Sequence, residues 1–197
     1  MKFSEAAQGI HPGDVIMVSG RSLFASAIKL WTGSPWTHAG LAVWLEWGCN
    51  RNVLDFAPIW DQLCILEAVG GQGVRLMPLG RYVIEASIRG ERVNWFRLDN
   101  QGLLRSQVVN HGMRQLGKHY ASPRQFLISF GRIIRPLRRL IGLGPQDLNP
   151  ERFFCSELVA ESLAAAGECL PEIPAAMAPG KLAQLSSLKD MGPLEPG

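Results

Sequence analysis

At 197 residues, with 47% hydrophobic and 19% charged residues, the chain has the makeup of an ordinary globular protein, and its length suits one domain with a sizeable core. Its net charge of +3 is too small to imply a nucleic-acid partner. No window approaches the roughly 20 apolar residues that would span a bilayer, and Met1 to Ile10 hold no apolar run long enough for a signal peptide. A cytoplasmic protein is expected, unless a dedicated export or lysis system handles it. The four cysteines, Cys49, Cys64, Cys155 and Cys169, include no CxxC pair, so neither a zinc knuckle nor a disulfide framework is expected. No metal or cofactor is implied.

Gly13 to Gly20 reads as a short buried strand between glycine turns, with Asp14 as a turn-capping residue. Ser22 to Trp31 has apolar residues at 23, 24, 27, 28, 30 and 31, a helical spacing closed by Thr32-Gly33-Ser34-Pro35. Trp36 to Leu45 then runs as a strand. Its alternation puts His38, Gly40, Ala42 and Trp44 on one face, where small residues leave room for a group to approach the imidazole. A lone histidine in an apolar strand is more often a satisfied core residue. Five of the six tryptophans fall before residue 61. Such a group usually means core, but it can also line an apolar groove, and Trp36, beside His38, is expected at a substrate surface.

Residues 46 to 61 look like an irregular connection. Leu63 to Val69 is a second buried strand, apolar on both faces except for Glu67. A carboxylate there is costly unless it is paired. Consecutive strands are often neighbours in a sheet, so His38 and Glu67 explain each other. Val74 to Leu79 and Arg92 to Leu98 add two more strands, and Asp99-Asn100 can cap a helix over roughly residues 101 to 116. His111, in that helix, reads as a surface or packing residue.

Residues 131 to 144 alternate Arg132, Arg135, Arg138 and Arg139 with isoleucines and leucines around Pro136. The plainer reading is a solvated connection. The functional one is a short basic amphipathic element in peripheral contact with anionic lipid or an acidic polymer. After Gly167 the chain becomes proline-rich and is expected to wrap the surface, with 185–197 fraying. No internal repeat is found.

Phe153-Phe154-Cys155-Ser156-Glu157-Leu158-Val159 places one thiol between an aromatic pair and an amphipathic run. Asn149-Pro150-Glu151 could start a helix upstream, which would put Cys155 past its first turn. Taken alone, Cys155 is a core cysteine, the commonest fate of that residue. With His38 and Glu67 it becomes a candidate nucleophile with a base and a group to orient that base.

Gly13-Asp14 before a strand, Ser34-Pro35-Trp36-Thr37-His38-Ala39-Gly40 opening another, Leu66-Glu67-Ala68 with Gly73-Val74, and Phe154-Cys155-Ser156-Glu157-Leu158-Val159 form an ordered set. It resembles the circularly permuted branch of the NlpC-like, papain-fold cysteine hydrolases, which includes the YiiX-like proteins and is similar to the lecithin retinol acyltransferase group. The resemblance spans residues 12–167, with the long middle unmatched. It implies an α+β fold, an antiparallel sheet of about five or six strands with helices packed on it, in a single catalytic domain over residues 1–197. It also implies Cys155 as nucleophile, His38 as base, Glu67 as the orienting residue, and a helix starting at Cys155. Tyr120, in Gly117-Lys118-His119-Tyr120, matches a family tyrosine that lines the substrate site, although Ala121-Ser122 departs from the usual aspartate and phenylalanine.

The activity implied is that of an amidase or peptidase acting on small peptide or amide substrates, of cell-wall, γ-glutamyl or isopeptide type. The alternatives are a lipid-directed thiol acyltransferase or phospholipase, and a non-catalytic binding module on the same fold. Oligomeric state is not legible.

Overall fold

The computed structural model describes residues 1–45, 63–100, 102–120 and 152–197. A short helix α1 (Phe3–Ala6) and a 3-10 turn precede strand β1 (Val15–Ser19). Helix α2 (Leu23–Thr32) follows, and the Ser22 side chain caps it by accepting from the Ala25 amide at 3.0 Å. Gly33, with φ of 61°, ends it in the left-handed conformation that a glycine adopts without strain. Next come β2 (His38–Trp44), β3 (Leu63–Val69) and β4 (Gly73–Pro78).

Helix α3 (Leu79–Ile88) leads to β5 (Arg92–Leu98), and helix α4 (Arg105–Met113) leads to the two-residue strand β6 (His119–Tyr120). Strand β7 (Arg152–Phe153), helix α5 (Cys155–Ala165), the short helix α6 (Pro179–Leu182) and β8 (Leu188–Leu194) complete the described chain. Among the described residues no helix is long and apolar enough to cross a membrane.

The sheet has six strands in the order β4-β3-β2-β1-β5-β8, every pair antiparallel, so the class is α+β as expected. Period-2 alternation divides its side chains between two apolar layers. On one face Val15, Met17, Leu41 and Leu66 pack against Leu158, Val159 and Leu163 of α5 and Val108 of α4. On the other, Ile16, Val18, Ala42 and Ile65 meet Leu79, Tyr82 and Val83 of α3 and Phe3 of α1. Each fully buried leucine or isoleucine contributes about 1.5–3 kcal/mol, so both layers matter to stability.

One element was not anticipated, and two expectations need correction. Leu79–Ile88 is a helix in a stretch that the sequence reading left unassigned, where Pro78 and the β-branched Val83, Ile84 and Ile88 weaken the helical signal. Helix α4 is shorter than residues 101–116, starting after Leu104 and not after Asp99-Asn100. The C-terminal stretch does not fray: β8 pairs with β5, buries Leu188 and Leu194, and Glu195 exchanges backbone hydrogen bonds with Met1 and Phe3. The basic run 131–144 lies outside the described residues, as do the connection 46–61 and Cys49.

Candidate active site

Sheet register builds the site. Gly40 of β2 pairs with Glu67 of β3, and Glu67 pairs in turn with Arg75 of β4. His38, two residues before Gly40, shares the face of Glu67, and its Nε2 lies 2.6 Å from Glu67 Oε2. The room expected beside His38 is not vacant. A Cβ on Gly40 would stand 2.6 Å from Ile65 Cγ1 and 2.9 Å from the Leu66 carbonyl, so the missing side chain lets β3 come close enough for that contact.

Glu67 is 1% exposed and has a second partner. Arg75 donates to Oε1 from Nε at 3.0 Å and from Nη2 at 2.7 Å, and its Nη1 reaches Gln72. Burial works against the charged carboxylate, but the hydrogen bonds and charges of His38 and Arg75 prevail and hold its pKa below the ordinary value.

Cys155 enters from another element. It is the first residue of α5, and Phe154 before it is extended, so the helix starts where the family pattern implied and not at Asn149-Pro150-Glu151. Glu157, in the same first turn, accepts from the Phe154 amide at 3.1 Å and helps to fix that start. Burial and the nearby Glu161 push the Glu157 carboxyl up to about 7 despite that bond.

Cys155 and His38 line the same cleft, close enough for the charge of each to shift the other. Glu67 occupies Nε2, which leaves Nδ1 for sulfur. Burial opposes a thiolate, yet the His38 charge and hydrogen bond, with the backbone N–H groups of Ala39 and Ser156, bring the Cys155 pKa below its ordinary value. Burial likewise opposes an imidazolium, and Cys155, then Glu67, raise the His38 pKa well above the usual imidazole range. Both shifts run toward thiolate beside imidazolium. The amides of the first helical turn have no intrahelical acceptor, so the Cys155 N–H can serve an anion next to sulfur.

These groups open into a cleft of about 760 Å³. Phe24, Ala25 and Ile28 of α2 give it an apolar wall, and Val69, the Gly70-Gly71 turn and Arg75 also line it. Tyr82 also lines it, a nearly buried phenol that burial pushes up to about 12, so it remains a neutral hydrogen-bond donor.

Trp36 is placed elsewhere. It lies in the core before β2 begins, edge-on to Phe96 with centroids 5.4 Å apart and Arg92 over its ring, and it is not among the residues lining the cleft. The backbone of Tyr120 pairs with Phe153, two residues before Cys155, while its side chain lies outside the described part. Arg75 and Tyr82 were missed. Arg75 was legible in principle, because a hairpin turning about Gly71 places residue 75 opposite residue 67. Among the described residues no group of three or more His, Cys, Asp or Glu side chains is arranged to hold a metal ion.

The model for the permuted papain-like amidases, YaeF/YiiX, matches residues 9–125, a stretch with His38 and Glu67 but not Cys155. The crystal structure described as metalloprotein YiiX from Escherichia coli O157:H7 is similar in fold, with a TM-score of 0.61 and 21% identity, over 95% of this chain and 99% of that one. Among curated proteins no match is found. The histidine-first order, the six-stranded sheet and the match over more than half the length agree: this chain belongs to the permuted papain-like amidase family of YaeF and YiiX.

Proposed function

We propose that the chain is a thiol amidase or peptidase in which Cys155 is the nucleophile, His38 the base and then the acid, and Glu67 the residue that orients His38. The observation carrying this reading is the 2.6 Å bond from His38 Nε2 to a buried carboxylate, with a thiol at the first position of a helix lining the same cleft as that imidazole.

The chemistry follows from the charges. The Cys155 thiolate attacks the amide carbonyl carbon, and the oxyanion that forms is met by the Cys155 N–H. Imidazolium at His38 gives its proton to the leaving nitrogen as the C–N bond breaks, which leaves a thioester on sulfur and a neutral imidazole. His38 then takes a proton from water, whose oxygen attacks the thioester and releases the acid. Glu67 stabilises the imidazolium at each turn and holds Nδ1 towards sulfur. Small peptides of cell-wall, γ-glutamyl or isopeptide type are the substrates this family reading suggests.

A second reading, transfer of an acyl group from a lipid through the same thioester, is favoured by the apolar α2 wall of the cleft. The arginines 132, 135, 138 and 139 add nothing to it, since they lie outside the described residues.

A thiol-directed acylating probe tests the assignment. Wild type should label at Cys155, and Cys155→Ala should not. Equal labelling of the two would overturn it and leave a non-catalytic binding module on this fold.

A further inference from the structure

Helix α2 is more apolar than its packing needs. Ala25 and Ile28 are buried beneath it, and Phe24, Ala25 and Ile28 form the cleft wall. At about 100° per residue, Leu30, Leu23, Ala27, Trp31 and Phe24 occupy one further arc of about 120°, next to the buried one. That arc faces out: Leu23 is 91% and Leu30 88% exposed, and Phe24 and Trp31 are also exposed. Gly90 packs against Arg21, which brings the end of α3 beside the start of α2 and adds Ile88, 81% exposed. Isolated exposed leucines need no explanation, but a contiguous patch on one helix at the mouth of a cleft does.

The carboxylates beside the patch, Glu85 and Glu91, are paired with Arg81 and Arg89, so the charge left over is positive. Between Asp14 and Glu46 the sequence has no acidic residue, while Arg21 and Lys29 are present and form no ion pair with a carboxylate among the described residues. Arg92, also exposed, pairs in register with Ser19 at the end of β1, shortly before α2. Leucines with a tryptophan on one arc, lysine on the opposite side and arginine at the end is the make-up of a helix that lies in the plane of a lipid interface.

We infer that the outer face of α2 docks on an anionic phospholipid bilayer, with Leu23, Leu30 and Trp31 entering the interface and Arg21 and Lys29 meeting headgroup phosphates. Because the inner face of the same helix is a wall of the cleft, docking sets the cleft mouth against the membrane. That the bound chain draws substrate from the bilayer rests on the thiol chemistry proposed above; docking itself does not.

The test is co-sedimentation of the full chain with phosphatidylcholine vesicles holding about one third phosphatidylserine, against phosphatidylcholine alone. Wild type and Cys155→Ala should bind the anionic vesicles equally. The double variant Leu23→Ser with Leu30→Ser, at exposed positions that should leave folding intact, should partition about tenfold less or weaker still. Arg21→Gln with Lys29→Gln should bind several-fold less at low salt, a difference that high salt removes. Absence of vesicle binding, or binding that the leucine pair leaves unchanged, overturns the inference. A dimer that this pair dissolves, without vesicle binding, assigns the face to a second copy of the chain. If docking survives and Cys155 proves unreactive, the amidase reading falls and this one stands.

Discussion

Two carboxylates are buried in this sheet, and they have opposite fates. Asp14, just before β1, is fully buried and accepts from the amides of His11 and Leu98, from Trp95 Nε1 at 2.8 Å and from Arg105 Nη1 at 2.7 Å. Glu67 lies toward the other end, where Val18 of β1 pairs with His38, and it divides its oxygens between Arg75 and His38. A carboxylate offers about four acceptor directions. At Asp14 all are taken by donors that keep their protons at neutral pH, so the group is a fixed strut between α4, β1 and β5. At Glu67 one partner is an imidazole that can gain or lose a proton and shares its cleft with a thiol. Burial alone does not separate a structural charge from a chemical one; the partner's capacity to titrate does.

Exchanging charge for amide at each position separates the two roles most sharply. Glu67→Gln keeps the shape but removes the anion that stabilises the His38 imidazolium, and kcat/KM is expected to fall by about 10³–10⁴-fold. Its melting temperature should move little, because Arg75 is 33% exposed and can turn to water. Asp14→Asn should do the reverse. It leaves Arg105 without its anion and aims an amide N–H₂ at donors, at a cost of about 3–5 kcal/mol, seen as a lower denaturation midpoint. Activity per folded molecule should persist. Loss of activity with Asp14→Asn at full folding would mean that the two ends of the sheet are coupled.

Gly40→Ala tests the spacing on which the Glu67 half of the comparison depends. The new Cβ would lie 2.6 Å from Ile65 Cγ1, with the Leu66 carbonyl also too close, so β3 has to move away from β2. Overpacking of this kind costs about 1–3 kcal/mol. The same displacement lengthens the His38–Glu67 bond, so activity should drop along with stability. Thermal melts and probe-labelling rates measured on one sample check this, and a loss in stability alone would show that the pair adapts.

The strands bearing these residues were legible because β2 and β3 alternate cleanly and each carries one misfit, His38 or Glu67, whose cost in an apolar strand demands a partner. Cys155 was legible from its family block, and so was the helix start that positions it. Trp36 was misplaced because period-2 alternation was extended back from His38, whereas β2 begins only at His38 and Trp36, outside the strand, packs into the core against Phe96. Tyr82 was missed with its helix, since Val83-Ile84 after Pro78 weakens the helical signal. Asp14 was read as a turn cap. It does serve the His11 turn, but Trp95, Leu98 and Arg105 come from residues more than 80 positions away, a distance at which local pattern carries no information.

Arg75→Gln makes the smallest and most diagnostic change, because it alters the pKa of Glu67 without touching the imidazole. With Arg75 present, the Glu67 carboxyl titrates below its ordinary value. Stability from that depressed group is present above the unfolded-state pKa and is lost as pH falls through the folded one. Removing the guanidinium raises the folded pKa, so the loss begins at a higher pH. Activity follows the same sign. Protonating Glu67 deprives the His38 imidazolium, and through it the Cys155 thiolate, of its anion, so the acid limb of the kcat/KM profile should move to higher pH. The basic limb, set by His38 losing its proton above the usual imidazole range, should remain. At mildly acidic pH the variant should be about tenfold slower, and near the optimum almost normal. Arg75→Lys should recover part of the shift, since it restores the charge but not the fork that places two N–H groups on Oε1. A uniform loss across all pH values would instead make Arg75 a strut, of the same kind as Arg105 at Asp14.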